Sequence, residues 1–258
     1  MSGERLSLRS LYHLVRTVIP AHCAVCQRLA PAGICESCFA SRLHLILRWC
    51  RRCGKPLVSQ LAGWEGGCGN CAGRGYANLS GVRSLFAYTE AAREILHGAK
   101  FGGRARLLAE LVELAWGRYG GRENPAFLLG IDPLELDFLV SVPLSMGRYF
   151  MRGANQAEVV ASTLARLSGI SLLSRLVEKA RNTPSQSGLS RRQREQNVRG
   201  AFRVNRRLAE RVRGRNVLVV DDLITTGATV QELAKVLKKS GVGQVFAFSL
   251  FTTDPRFG

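Results

Sequence analysis

The sequence predicts an α/β protein in which a mainly parallel sheet is flanked by helices, with a small cysteine-rich module on its N-terminal side. Three observations carry that prediction. Short, unbroken apolar runs such as Val217-Leu218-Val219-Val220 alternate with stretches of helical periodicity from about residue 80 onward, the pattern of a sheet buried on both faces. All eight cysteines are confined to the first part of the chain and fall into four CxxC pairs. Two adjacent acids, Asp221 and Asp222, close one apolar run and are followed by a hydroxyl-rich turn. At 258 residues the chain can bury a sizeable core and hold one large or two modest units.

Residues 1–20 place Leu8, Leu11, Val15, Val18 and Ile19 at amphipathic spacing, which predicts a leader helix docked on its own protein or on a membrane surface. Arg9 and Arg16 interrupt the apolar stretch, so it does not read as a secretory signal, and no run reaches transmembrane length. The expected location is the cytoplasm. Residues 21–76 hold the pairs Cys23/Cys26, Cys35/Cys38, Cys50/Cys53 and Cys68/Cys71. Two thiolates on one tight turn grip the same metal, and two such knuckles complete a tetrahedral four-cysteine zinc site. A disulfide framework conflicts with a cytoplasmic location, and four CxxC copies suit a redox dithiol poorly. Two structural Zn²⁺ ions are therefore expected. Sequential pairing of the knuckles is the simplest arrangement, though the spacing also allows interleaving. So short and loop-rich a module folds only with metal, and with every ligand a thiolate no position is left for substrate.

Residues 80–258 form the second unit. Gly81–Tyr88 predicts a strand, followed by a helix to about His97, the segment Lys100-Phe101-Gly102-Gly103-Arg104, and a long helix through Leu107, Leu111 and Trp116. Asp137–Pro143 is a second buried strand. Behind it, Arg148, Arg152, Gly153, Asn155 and Gln156 mark a candidate anion-binding loop. A helix over about Asn155–Leu167 and a strand within Leu172–Ala180 come next. The polar stretch from Arg181 to Phe202 carries five arginines and reads as a mobile loop, with or without a short basic helix; it is either a lid or a solvated insertion. Beyond Val217–Val220, Thr225–Thr229 form a tight turn that opens a helix with Val230, Leu233, Ala234 and Leu237 on its apolar side, and Val245–Phe251 is the last strand.

The net charge of +18 calls for an anionic partner, and Arg175 to Arg215 alone contains thirteen Lys or Arg against three Glu. Capping a helix explains one acid or threonine, not two acids and three threonines at one strand-to-helix turn. In an open α/β sheet that place binds ligands, and a helix N-terminus offers free N–H groups to a phosphate. The two acids ask for a pair of hydroxyls nearby. A phosphorylated ribose answers both.

Asp221-Asp222 with Thr225-Thr226-Gly227-Ala228-Thr229, after an apolar strand, resembles the phosphoribosyl pyrophosphate (PRPP) motif of type I phosphoribosyltransferases. Four CxxC pairs ahead of it, the KFGGR segment, VPLSMGRYFMRGANQ and an R-x-T-x-x-Q-x-x-L stretch make the chain similar to the ComF family over about residues 20–252. Met151 and Ala154 stand where that pattern has Arg and Phe. The resemblance implies the type I phosphoribosyltransferase fold, with Asp221 and Asp222 as catalytic acids on the ribose hydroxyls. It implies that Thr225 to Thr229 cradle the 5′-phosphate, and that Val142, Pro143 and Leu144, with Arg148 and Arg152, lie near the pyrophosphate. It implies Mg²⁺ bridging the ligand's oxygens, a hood loop bearing Arg181, Arg191, Arg192 and Arg194, and acceptor recognition within Tyr88–Arg104. It also implies a link to uptake of transforming DNA, with single-stranded DNA and a DNA-uptake helicase or recombination-mediator protein as partners. A non-catalytic PRPP or nucleotide sensor that binds nucleic acid or a helicase is the rival reading. Against a stacking platform for single strands, the basic stretch contains one aromatic, Phe202. A purely structural zinc adaptor leaves the two acids unexplained. No residue stands out as a general base, and the acceptor is not legible.

Overall fold

A five-stranded parallel sheet carries the molecule. The computed structural model describes residues 22–30, 33–57, 68, 71, 75–119, 123–184 and 188–254; the expected leader helix lies outside them. In chain order come α1 (Glu36–Arg42), β1 (Gly81–Ala87), α2 (Glu90–Phe101), α3 (Arg106–Arg118), α4 (Pro125–Leu129), β2 (Phe138–Ser141), α5 (Met146–Arg152) and α6 (Gln156–Ser168). They are followed by β3 (Ser171–Leu172), β4 (Val177–Lys179), α7 (Arg191–Val198), β5 (Phe202–Val204), α8 (Arg206–Ala209), β6 (Val217–Ile224), α9 (Ala228–Lys239) and β7 (Val245–Thr252).

The sheet order is β1-β7-β6-β2-β3, and each neighbouring pair is parallel. Strand β6 sits at its centre, and its four-residue apolar run is fully buried. Alternation along the strand sends Leu218 and Val220 into one core cluster with Val160 and Leu164 of α6. Val217 and Val219 face the other way, into a cluster with Leu233, Ala234 and Leu237 of α9. The sheet is thus covered on both faces, as its continuous apolar strands require. After β2 the chain crosses over α6 to β3; after β6 it crosses over α9 to β7 on the opposite side. The direction of winding reverses between β2 and β6, so a crevice opens where their carboxyl ends part.

Three sequence expectations need correction. The segment expected as one strand within Leu172–Ala180 is split between two sheets: a turn closed by the Leu176 N–H donating to the Leu173 carbonyl (3.1 Å) separates β3 from β4, and β4 pairs antiparallel with β5. The basic loop expected after β2 is helical over α5, because Met-Gly-Arg-Tyr-Phe-Met-Arg contains no proline or β-branched residue. Gly153 then ends it in the left-handed region, at φ 69°. Strand β6 also does not stop at Val220. It runs on through both acids, with Asp221 opposite Ser249 and Leu223 opposite Phe251 of β7.

The cysteine-bearing segments pack directly on the sheet. Phe39 of α1 meets Phe86 of β1 edge-on at 6.0 Å and shares a core cluster with Leu108, Leu111 and Phe251. The knuckle Cys50–Gly54 lies along the free side of β1, where the Val82 N–H donates to the Arg51 carbonyl at 2.7 Å.

Candidate active site

The crevice between β2 and β6 holds a cavity of about 270 Å³ lined by Asp221, Asp222, Thr225 and Thr229, by Val142, Pro143 and Leu144, and by five cations, Lys100, Arg148, Arg152, Lys179 and Arg194. Of the residues expected at the phosphate turn, Thr225 and Thr229 form the wall. Thr226, Gly227 and Ala228 make the bend between them, Gly227 capping α9 in the left-handed region at φ 78°. The turn is held from behind: a Cβ on Gly227 would lie 2.4–2.7 Å from three ring carbons of Tyr76. Gly227→Ala therefore combines backbone strain with a collision and is expected to cost about 2–4 kcal/mol. Thermal unfolding checks this against Gly200→Ala, where φ is +67° but nothing lies within 4 Å of the added atom. The Gly227 variant should melt well below the Gly200 variant.

The acids are electrostatically unequal. Asp222 pairs with Lys100 at 2.8 Å, while its backbone N–H donates to Asp221 Oδ1 at 2.9 Å. Burial pushes the Asp222 carboxyl up, but Lys100, the hydrogen bond with Asp221 and Arg152 outweigh it and hold the group below its ordinary value. Burial and then the Asp222 charge push Asp221 well above its ordinary value. Asp222 is satisfied by a cation already in place; among the described residues Asp221 has no ion-pair partner of its own.

Around them the cations are fixed by partners that leave donors to spare. Gln156 accepts from Arg152 Nη1 at 3.2 Å and donates to the Ala99 carbonyl at 2.9 Å, which ties Arg152 to the end of α2 beside Lys100. Arg152 Nε is buried with no partner among the described residues, a donor waiting for an acceptor. Arg148 donates to the Thr183 carbonyl at 2.8 Å, and Lys179 to the Thr183 hydroxyl at 2.7 Å. Burial, with Arg148 and Arg181 nearby, brings the Lys179 ammonium down to about 8. A pocket with this surplus of positive charge suits a polyphosphate.

The expected hood arginines separate. Arg194 of α7 reaches the pocket and donates to Thr225 Oγ1 at 2.6 Å. Arg181 is spent on the carbonyls of Asn197 and Arg199, Arg191 pairs with Glu195, and Arg192 is exposed; none of the three lines the cavity. Lys100 and Lys179 were not singled out from the sequence as site residues. The KFGGR segment flagged the first; nothing local flagged Lys179, which sits in a short strand remote from the acids in sequence.

The cysteines fall into two groups, Cys23, Cys26, Cys35, Cys38 and Cys50, Cys53, Cys68, Cys71, with the four sulfurs of each within 4.8 Å of one another. Pairing is sequential. The Sγ···Sγ separations are 3.7 Å for Cys26/Cys35, 3.4 Å for Cys53/Cys68 and 3.8 Å for Cys50/Cys71. A tetrahedron with zinc–sulfur bonds of about 2.3 Å places its sulfurs about 3.8 Å apart, so the all-thiolate donor sets fit zinc. Crowding alone cannot keep all the thiols ionised. The Cys53 hydrogen bond brings Cys50 down to about 4 while the same bond drives Cys53 up, and burial, followed by bonds to its neighbours, pushes Cys38 up to about 12.

Comparison with known proteins accords with this geometry. The family model for the phosphoribosyl transferase domain matches residues 151–253, and that for the double zinc ribbon domain matches residues 14–72. The DNA utilization protein YhgH of Escherichia coli (strain K12) is 31% identical over 246 residues, covering 91% of this chain and 98% of that protein. Competence protein F of Haemophilus influenzae is 30% identical, covering 89% of this chain and 94% of that protein. The chain belongs to the ComF family. Competence protein ComFC of Bacillus subtilis, at 28% identity over 84% of this chain and 83% of its own length, is a further relative. The ComF chain described here therefore joins a phosphoribosyl transferase domain to a double zinc ribbon, and its two four-cysteine groups support structural zinc. No helix among the described residues is long and apolar enough to cross a membrane.

Proposed function

We propose that the protein binds PRPP with Mg²⁺ in the β2–β6 crevice and transfers its phosphoribosyl group to an acceptor, in the uptake or processing of transforming DNA. The observation that carries this reading is the convergence in one cavity of an acid pair, a phosphate turn at a helix N-terminus, and five cations drawn from four other segments. The Thr225–Thr229 turn holds the 5′-phosphate. Asp221 and Asp222 accept hydrogen bonds from the ribose hydroxyls, which displaces Lys100 from Asp222 toward the pyrophosphate. Lys100, Arg148, Arg152 and Lys179 meet the negative charge of the leaving group, and the acids oppose the positive charge that grows on the ribose as the bond breaks. Arg194, already on Thr225, closes the phosphate end. Carboxylate oxygens beside a polyphosphate suit Mg²⁺, which neutralises pyrophosphate charge when bound; Asp221 and Asp222 would hold its waters. The DNA-related names of the relatives supply the process, and the acceptor is unidentified.

Calorimetric titration of the zinc-loaded protein with PRPP and Mg²⁺ tests the proposal. Micromolar binding is expected, weakening as pH rises past about 8, because the Lys179 ammonium deprotonates there. A folded protein that takes up no PRPP at millimolar concentration overturns it. One observation favours a second reading, a non-catalytic accessory that binds single-stranded DNA. Met146, Tyr149, Phe150 and Met151 of α5, with Phe101 of α2, are exposed on the elements that supply Arg148, Arg152 and Lys100. The rings of Tyr149, Phe150 and Phe101, interleaved with cations, suit the bases of single strands. Under that reading, affinity for an oligonucleotide falls steeply with salt and drops again in Phe150→Ala.

A further inference from the structure

The second four-cysteine group and the phosphate turn are joined by a single side chain. Tyr76 follows Cys71 closely in the chain, and its ring is 7% exposed. It lies against Gly227 so closely that the glycine has no room for a Cβ, the separations being 2.4–2.7 Å to Cζ, Cε2 and Cε1. The next residue extends the contact: the Ala77 N–H donates to Gln231 Oε1, on the first turn of α9, at 3.2 Å. Tyr76 shares one buried cluster with Cys50, Cys53 and Cys68 on one side and with Ile224, Ala228 and Val230 on the other. Each half of the cysteine group is anchored differently. The Cys50–Gly54 half is bound to β1, where a Gly54 Cβ would strike Val82 at 2.7 Å. Tyr76 follows the Cys68–Cys71 half by five positions from Cys71, and Gly75 just before it backs onto the first half, where an added Cβ would lie 2.8 Å from Arg52 Cβ. A metal that draws the halves together therefore sets where the Tyr76 ring stands, and the ring sets the turn.

We propose that Tyr76 is a positioning residue that couples metal occupancy of the Cys50/Cys53/Cys68/Cys71 group to the conformation of the Thr225–Thr229 turn. With the metal in place the ring holds Gly227 in its left-handed conformation and fixes the first N–H groups of α9 toward the cavity. Without it the Cys68–Cys71 half is released from β1, the ring loses its support, and the turn opens. The ligand consequence rests on the reading of that turn as a phosphate cradle; the coupling itself does not.

Amide hydrogen exchange on the full-length, zinc-loaded chain tests the coupling without any ligand, with zinc content measured in parallel. Four proteins are compared: wild type, Cys71→Ser, Tyr76→Ala and Tyr76→Phe. Cys71→Ser should lose one of the two zinc ions and raise exchange in peptides covering 225–231 by about five- to a hundredfold, the range of ordinary coupling between sites. Tyr76→Ala should raise it equally with both ions retained, and Tyr76→Phe, which keeps the ring, should match wild type. In Tyr76→Ala, removing the second-site metal should add nothing further at the turn. Unchanged exchange at 225–231 in Cys71→Ser overturns the proposal, as does a uniform rise across β2 and α6, which would mark general loosening. So does Tyr76→Phe behaving as Tyr76→Ala. Titrating the same proteins with PRPP separates the two readings: wild type that shows the exchange pattern but binds no PRPP refutes the proposed function and leaves the coupling intact.

Discussion

Asp222→Asn is expected to destabilise the unliganded protein while Asp221→Asn stabilises it, and both are expected to lose PRPP binding. The opposite signs follow from the unequal environments of two adjacent side chains. Asp222 has its carboxyl held below the ordinary value of 3.8, burial being outweighed by Lys100 at 2.8 Å, so its ionised form is favoured in the fold. That contribution is fully present above the ordinary carboxylate range and is lost as pH falls through the lowered value. Asparagine removes it and leaves Lys100 facing the pocket cations unpaired, at a cost of about 1–3 kcal/mol. Asp221 is raised well above 3.8, first by burial and then by Asp222, so its proton is favoured in the fold and ionising it opposes folding. The penalty grows as pH rises from the ordinary value through the raised one. Asparagine relieves it, by about 1 kcal/mol, which lifts Tm by about 2–4 °C in a chain of this size. Thermal melts across pH beside PRPP calorimetry read both quantities. A stabilised protein that no longer binds is the expected signature of strain kept for a ligand. If Asp221→Asn melts below wild type at neutral pH, the inequality of the pair is wrong.

Removing zinc should have the largest effect on the fold. Ile34, Phe39 and Leu43, carried by the first cysteine group and α1, are buried in the same cluster as Phe86, Leu108 and Trp116. The metal therefore holds part of the main core, not an appended ornament. Structural zinc contributes folding free energy outright, and losing one site should cost about 4 kcal/mol or more. At roughly 2–4 °C per kcal/mol, Tm falls by about 10 °C or more. Cys38→Ser should show this with one ion lost, and chelation of wild type should expose apolar surface to a hydrophobic dye. Because the ligands must be thiolates, zinc release should also follow acidification. A chelated chain that melts as the loaded one does would sink the structural assignment.

The opening features were legible because their information is local. A buried strand, two acids and a hydroxyl-glycine turn follow one another between Val217 and Thr229, and CxxC spacing speaks for metal without any fold. The misread segments failed for a definable reason. The stretch bearing Arg148 and Arg152 reads as a loop because a glycine-bearing basic segment carries no apolar period to mark α5 as helix. Leu172–Ala180 reads as one strand by composition; the turn at Leu173–Leu176 that divides it is set by which sheet each half joins.

Residue type and spacing along the chain already contained the parallel α/β architecture, the acid pair, the hydroxyl-glycine turn and the cysteine knuckles, since each is written in neighbouring residues. Which cations share the cavity with the acids, which knuckles share a metal, and what stands behind the turn were decided in three dimensions. Arg194 meets Thr225 across 31 residues of chain, and Ala77 meets Gln231 across 154. Contacts of that range depend on which strands and helices the sheet order sets side by side, and no local pattern encodes which side chains that order will bring face to face.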